Sequence, residues 1–261
     1  MELNDKVALI TGGSQGIGES IATTLAAEGA AIAVVASSSL DKANDVANRL
    51  NAAKGRAQGF VADVRNPQQV AALVDDVTKA FGKIDILVNA AGVFYPTPVA
   101  RTPQEEFDRM VDINFKGTWN AINAVAPGMK QRKYGKIVNF ASVCAVMGFG
   151  SFATYCATKA AVQMLTRTLA IELAPHGINI NSIGPGNTAT PLNEYVRTDP
   201  AYKEVLADIV ARTPSGKAYS DADDMARIVK FLVSDASRAM HGSFVLADEG
   251  YSAGADFSTS D

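Results

Sequence analysis

The stretch Val7–Gly18, reading VALITGGSQGIG, constrains this chain more than any other. Val7-Ala8-Leu9-Ile10 is a short apolar run without polar alternation, as a strand covered on both faces requires. Thr11-Gly12-Gly13-Ser14-Gln15-Gly16-Ile17-Gly18 follows at once, and the periodic segment Glu19–Glu28 then reads as a helix closed by Gly29. Strand, glycine-rich turn and helix in direct succession make a cradle for an anion. Glycines let the backbone turn tightly and let a ligand come close, and the first N–H groups of the helix favour negative charge. The spacing Gly12-xxx-Gly16-x-Gly18 differs from the commoner GxGxxG pattern. A tight turn explains glycines equally well. The loop's place directly after the first apolar strand is what favours a phosphate-bearing cofactor.

The same alternation continues along the chain. Strands are expected at Val7–Thr11, Ala31–Ala36, Ala57–Ala62, Ile84–Asn89, Lys136–Ala141, Ile178–Ile183 and Ser243–Ala247. Helices are expected at Glu19–Glu28, Leu40–Ala53, Gln68–Phe81, Gln104–Arg132, Ala153–Ala174, Ala201–Ala211 and Ala222–Val233. This alternation predicts an α/β fold: a doubly wound, seven-stranded parallel sheet with helices on both faces. A (β/α)₈ barrel is the competitor at this length, disfavoured by seven strands and by a phosphate loop after the first. No linker, charge block or repeat interrupts the chain, so residues 1–261 read as one domain.

Composition narrows the function classes. A net charge of −3 gives no electrostatic case for nucleic acid. No apolar run is long enough to span a bilayer, and Met1–Lys6 lacks the pattern of a signal peptide. Two cysteines, Cys144 and Cys156, argue against a disulfide framework and fit a reducing cytoplasm. They read as small buried hydrophobes rather than nucleophiles, and two histidines without clustered partners give no metal site.

Several residues fall where open α/β sheets gather ligands, at the carboxyl ends of strands. Asp63 follows the third strand; a turn before the helix explains it, with an adenine amino group as the functional alternative. Asn89-Ala90-Ala91-Gly92 ends the fourth strand, where small residues suit either a flat ring or close packing. Ser142 follows the fifth strand. Tyr155 and Lys159 lie four apart, on one face of a helix whose other residues are small and apolar. An ammonium beside a phenol stabilises the phenolate, lowers its pKa from about 10 and suits it to proton exchange near neutrality.

Taken together, these motifs resemble the short-chain dehydrogenase/reductase family, in its single-domain form, from about Lys6 to Gly250. Thr11-Gly12-xxx-Gly16-x-Gly18 resembles the family's cofactor loop, and Asn89-Ala90-Ala91-Gly92 its Asn-Asn-Ala-Gly motif with one substitution. Asn114, Ser142, Tyr155 and Lys159 match its catalytic set. Asp63 matches its adenine-contacting aspartate, and Pro185-Gly186 with Thr190 its nicotinamide-side loop. The resemblance implies an NAD(P)-dependent oxidoreductase that moves a hydride between nicotinamide C4 and a carbinol carbon. Tyr155 is then the acid or base, Lys159 its tuner and a ribose ligand, Ser142 a donor to the substrate oxygen, and Asn114 the holder of a water. The implied cofactor set is Gly12, Ser14, Gln15, Gly16, Ile17, Gly18, Ser37, Ser38, Asp63, Val64, Asn89, Ala90, Gly92, Tyr155, Lys159, Pro185, Gly186, Thr188 and Thr190. A homotetramer is implied as well.

Three departures stand out: Thr188 in place of Val or Ile, Glu249 in place of a glycine, and Gln15 where NADP-preferring members often have Arg. The second strand ends in Val34-Val35-Ala36-Ser37-Ser38-Ser39, with no carboxylate to bond a ribose 2′-OH or repel a 2′-phosphate. NADP is therefore expected over NAD, although Gln15 supplies no charge and no Arg follows Ala36. Segment 187–219 carries Leu192, Tyr195, Tyr202, Val205 and Leu206 beside the nicotinamide loop and reads as a substrate lid. The expected substrate set is Ser142, Cys144, Phe149, Tyr155, Asn187 and Tyr195, facing a mostly apolar wall with Val93, Phe94 and Val146. A small uncharged secondary alcohol or ketone follows. The alternatives are a polyol or sugar, a 3-oxoacyl thioester, epimerase or dehydratase chemistry on a sugar nucleotide, and a non-catalytic dinucleotide sensor.

Overall fold

Seven apolar runs build a single parallel sheet. The computed structural model describes residues 2–254. The strands are β1 (Val7–Thr11), β2 (Ala31–Ala36), β3 (Arg56–Val61), β4 (Ile86–Asn89), β5 (Gly135–Phe140), β6 (Ile178–Pro185) and β7 (Phe244–Ala247). Their order in the sheet is β3-β2-β1-β4-β5-β6-β7. The helices are α1 (Gly16–Ala27), α2 (Leu40–Ala52), α3 (Pro67–Phe81), α4 (Gln104–Val111), α5 (Gly117–Arg132), α6 (Ala153–Leu173), α7 (Glu194–Thr198), α8 (Lys203–Arg212) and α9 (Ala222–Val233). The sheet is open, with β3 and β7 at its edges, so the barrel alternative falls.

β1 shows why the apolar runs carry no alternation. Ala8 and Ile10 point to a core formed with Ile21 and Leu25 of α1 and Met225 and Val229 of α9. Val7 and Leu9 point to a second core with Val70 and Leu73 of α3 and Ile122 and Val125 of α5. Each fully buried Leu or Ile contributes roughly 1.5–3 kcal/mol relative to exposure, and a strand between two helix layers collects this on both faces.

The strand order reverses between β1 and β4, where the chain first winds outward through β2 and β3 and then returns. The carboxyl ends of β1 and β4 therefore open into a crevice with no helix crossing it, the usual ligand position in such sheets.

Three expected boundaries shift for local reasons. β4 begins at Ile86 rather than Ile84, because Asp85 turns its carboxylate onto the Val7 N–H at 3.0 Å. The expected helix Gln104–Arg132 is divided by a π-helical turn, Asp112–Lys116, which carries Asn114. Gly117 follows that turn because a Cβ there would lie 2.6 Å from the Val64 side chain. The helix expected at Ala201–Ala211 is α8, preceded by a 3₁₀ turn at Pro200–Tyr202 that Asp199 caps through the Ala201 N–H.

Candidate active site

The glycine-rich loop does what its residue types require. Gly12 has φ +68° and Gly16 φ +55°, in the left-handed region that glycine enters without cost. A Cβ on Gly12 would sit 2.9 Å from the backbone of Ala91, and one on Gly18 would collide with the Gly12 carbonyl. The loop thus lies flat against the end of β4 and packs the start of α1 onto itself. It leaves a cleft of about 550 Å³, a volume typical of small-molecule and cofactor sites. Gly12, Ser14, Gln15, Gly16, Ile17, Gly18, Ser37, Ser38, Asp63, Val64, Ala90, Gly92 and Thr190, all expected from the sequence, line it. A cleft that runs from the end of β2, over the N-terminus of α1, to the loop after β4 has the shape and the backbone donors for a dinucleotide.

Cations also line the end of the cleft near β2, and the sequence reading missed them. Lys42 lies in the first turn of α2, whose N-cap Ser39 accepts the Lys42 N–H at 3.3 Å. Helical side chains lean toward the N-terminus, which carries Lys42 back over Ser37–Ser39; that geometry was the available signal. Arg65 lies across the cleft and grips Asp63 through two donors, Nε at 2.9 Å and NH2 at 2.6 Å from Oδ2. The Arg65 guanidinium holds the Asp63 carboxyl below the usual carboxylate range. Asp63, read as an adenine ligand, therefore has its charge already engaged.

Asn89 is the clearest departure from the expected cofactor set. It is buried, pairs in register with Asn139, and donates its amide to Asn139 Oδ1 at 2.8 Å; it does not line the cleft. A polar side chain inside a parallel sheet must find such a partner, and here the pairing ties β4 to β5. Asn114 is buried beside the loop after β4. Its Oδ1 accepts the Val93 N–H at 2.8 Å and its Nδ2 donates to the Val93 carbonyl at 3.0 Å. The amide thus clamps the loop after β4, and its nitrogen also donates to Thr158 Oγ1 of α6 at 3.4 Å.

Ser142, Tyr155 and Lys159 converge beyond that loop. Ser142 leaves the end of β5 and caps a short 3₁₀ turn, accepting the Cys144 N–H at 3.2 Å. Lys159 is 5 % exposed, donates to the Phe140 carbonyl at 2.8 Å, and sits 5.6 Å from the Tyr155 ring centre. A Cβ on Gly92 would be 3.6 Å from Lys159 Nζ, so the cleft ends against this lysine. Burial lowers the Lys159 pKa to about 8. Burial raises the Tyr155 phenol above its usual range, with the Ser142 hydroxyl pulling weakly the other way. In place of the expected lowering by Lys159, desolvation is the largest influence on both groups. Burial also pushes the Cys144 thiol to about 11, as an inert buried cysteine requires.

The far wall comes from β6 and beyond. Pro185 and Gly186 end in the sheet beside β7; a Cβ on Gly186 would lie 2.8 Å from Asp248 Cα. Thr188 is buried and its carbonyl accepts from Asn193 at 2.8 Å, while Thr190 stands over Gly16. Pro185, Gly186 and Thr188 do not line the cleft itself, and Ser142, Tyr155 and Lys159 lie just past its lining, behind Gly92. Of the substrate set, Phe149 stacks on Tyr251 at 6.0 Å, and Asn187 lines a small hollow with Asp248 and Tyr251. Tyr195 packs edge-on to Tyr202 at 5.4 Å and lies outside the cleft.

An open parallel sheet, a glycine-rich phosphate loop at its switch point and a Ser/Tyr/Lys cluster at the end of the cleft define a dinucleotide-dependent oxidoreductase. The chain belongs to the short-chain dehydrogenase family, whose profile, described as "short chain dehydrogenase", matches residues 6–201. It is 35% identical over 246 residues to the 3-oxoacyl-[acyl-carrier-protein] reductase FabG of Staphylococcus epidermidis, covering 94% of this chain and 98% of that one. It is 34% identical over 251 residues to the cyclopentanol dehydrogenase of a Comamonas species, covering 96% and 98%. Among solved structures, a gluconate 5-dehydrogenase from Burkholderia cenocepacia in complex with NADP and tartrate superposes with a TM-score of 0.91 at 34% identity, covering 97% of this chain and 98% of the other.

Proposed function

We propose that this enzyme interconverts a small, uncharged secondary alcohol and its ketone, with NADP as the preferred dinucleotide. The observation that carries the reading is the convergence of Ser142, Tyr155 and Lys159 where the cleft ends against Gly92. The nicotinamide, when bound, supplies or accepts the hydride. In carbonyl reduction Tyr155 gives its phenolic proton to the developing alkoxide and recovers one from solvent; in oxidation the transfer reverses. Ser142 donates a hydrogen bond to the same oxygen, where charge develops. Lys159, anchored on Phe140, presents an ammonium at the ribose end, and Asn114 positions the loop on which the ring would lie. Gly12–Gly18 would hold the pyrophosphate, and Ser37, Ser38 and Lys42, which line the same cleft, would meet the adenosine ribose.

The preference for NADP rests on the absence of a carboxylate after β2 and on the Lys42 cation there; the NADP-bound gluconate dehydrogenase relative supports it. The cyclopentanol dehydrogenase relative supports a simple alcohol. The FabG relatives keep 3-oxoacyl thioester reduction as the second reading. The same proposal takes the chain as one catalytic domain with residues 187–219 as its lid, working as a homotetramer in the cytoplasm. The lid is supported by the Arg197 bond to the Thr190 carbonyl at 3.0 Å, which ties α7 to the cleft wall. The cytoplasm is supported by two unpaired cysteines, and no helix of the described residues is long and apolar enough to cross a membrane. The test is a screen of ketones, alcohols, polyols and 3-oxoacyl thioesters with NADPH and NADH, followed by nicotinamide absorbance. Turnover of simple ketones supports the proposal; turnover of thioesters or polyols alone overturns it.

A further inference from the structure

Phe94 is 56 % exposed, yet its ring packs against two other aromatic rings. Its ring stacks on Phe152 with centroids 4.6 Å apart and planes 3° from parallel. It meets the Tyr155 ring edge-on at 4.8 Å and 78°. The chain on both sides of it is pinned. Asn114 clamps Val93 at both backbone groups. Further along, the Thr97 N–H donates to the Ser151 carbonyl at 2.6 Å, and the Thr154 N–H donates to Thr97 Oγ1 at 3.3 Å. An exposed aromatic normally moves freely; this one is held by a second ring and by two bolted segments. A second stacked pair, Phe149 on Tyr251, stands on the same loop, because the Phe152 N–H donates to the Phe149 carbonyl at 3.1 Å.

We infer that Phe94, backed by Phe152, is the wall against which the substrate lies, and that it selects an apolar ring-shaped ketone, alicyclic or aryl. This rests on the proposed ketone chemistry at Tyr155. A surface fixed before binding favours a ligand that is itself a rigid ring, since neither partner loses much freedom on contact. Ring faces also gain from offset or edge-on packing beyond the area they bury. The wall offers no hydrogen-bonding group. A polyol laid on it would leave hydroxyls desolvated and unpaired, which disfavours it strongly. The hydroxyls of Ser142 and Tyr155 suffice for one carbonyl oxygen. The reaction balances without further groups: the hydride from the reduced nicotinamide forms the new C–H bond, the C=O π pair moves to oxygen, and Tyr155 supplies the proton.

The test compares kcat/KM for cyclohexanone and acetophenone with that for 2-butanone and dihydroxyacetone, in the parent enzyme and in Phe94→Ala and Phe94→Trp. The parent is expected to favour the ring ketones at least tenfold, about 1.4 kcal/mol. Phe94→Ala is expected to reduce that ratio at least tenfold, mainly through KM, and Phe94→Trp to retain it. An unchanged ratio in Phe94→Ala overturns the inference. So does a change of oligomeric state in that variant by light scattering, which would make Phe94 a subunit contact. If Phe94→Ala does not fold, competitive inhibition of the parent by cyclohexanol against 1-hexanol decides, with tighter binding of the ring expected and equal binding contrary. A parent that reduces only open-chain ketones, polyols or thioesters refutes the ring preference while leaving hydride transfer in place. A parent that reduces no carbonyl refutes the underlying reading.

Discussion

Lys159 donates its ammonium to the carbonyl of Phe140 at 2.8 Å, and Phe140 is the last residue of β5, two positions before Ser142. The strand that delivers the serine therefore also anchors the lysine. One backbone carbonyl fixes the distance between the two side chains before any ligand arrives, and holds a cation where burial opposes it.

That opposition predicts a pH dependence of stability. Lys159 has a pKa of about 8 in the folded protein and about 10.4 when unfolded. Below pH 8 both states carry the charge, and the folded state bears the full cost of burying it. Between pH 8 and about 10.4 the unfolded chain binds more protons, so stability rises with pH. The gain approaches about 3 kcal/mol. Denaturant unfolding of the parent and of Lys159→Met between pH 7.5 and 10 measures it: the parent is expected to gain stability relative to the variant as pH rises. A constant difference across that range contradicts the burial argument.

Tyr155→Phe removes the proton carrier and keeps the ring that meets Phe94 edge-on. Turnover is expected to fall by about 10²–10⁴, the usual contribution of a placed acid, with NADPH affinity nearly unchanged. Steady-state kinetics and a fluorescence titration of NADPH separate the two effects. Near-parental kcat in the purified variant would remove Tyr155 from its role.

Oligomeric state gives a third prediction. Trp119 on α5 and Met164 and Ile171 on α6 are 45 %, 57 % and 78 % exposed. Met164 and Ile171 lie seven apart, two turns along one helix face, and apolar residues grouped this way on a surface favour association. The parent is expected to scatter as a tetramer at micromolar concentration. Ile171→Asp is expected to shift it to a smaller species without loss of helix content. A monomeric parent contradicts the proposal.

The sequence showed most clearly what one segment decides alone. β1, β2 and the glycine loop were legible because apolar runs and φ-positive glycines answer to local requirements. The break at Asp112–Lys116 was not, because it arises where Gly117 must pass Val64 from another element. Ser142, Tyr155 and Lys159 were legible through resemblance, yet their electrostatics were not: the phenol is raised rather than lowered because its burial disfavours the phenolate. Asn89 and Asp63 carried motif positions, but the partners that occupy them, Asn139 and Arg65, come from a different strand and from a turn residue whose role only the folded geometry reveals.

Cofactor preference tests the last of these hidden partners. β2 ends without a carboxylate, so a 2′-phosphate meets no repulsion there; of the cations lining the cleft, Lys42, Arg65 and Arg109, Lys42 is the one on the helix that directly follows β2, and Arg109 pairs with Glu106 at 3.7 Å. Arg65 is committed to Asp63 through two donors, and the pair largely cancels in charge. Lys42, in the first turn of α2, remains to meet the phosphate together with the Ser37–Ser39 hydroxyls and the helix N-terminus. A charge-assisted hydrogen bond at a partly exposed site contributes on the order of 1 to 2 kcal/mol. Lys42→Ala is therefore expected to weaken NADPH roughly tenfold while changing NADH little, as read by fluorescence titration without any substrate. Ser37→Asp should go further and reverse the preference, since it places a carboxylate where a ribose 2′-OH would be bonded and a phosphate repelled. Equal weakening of both dinucleotides by Lys42→Ala would mean that the lysine supports the cleft without reading the phosphate. A parent that binds NADH tenfold more tightly than NADPH would overturn the preference itself.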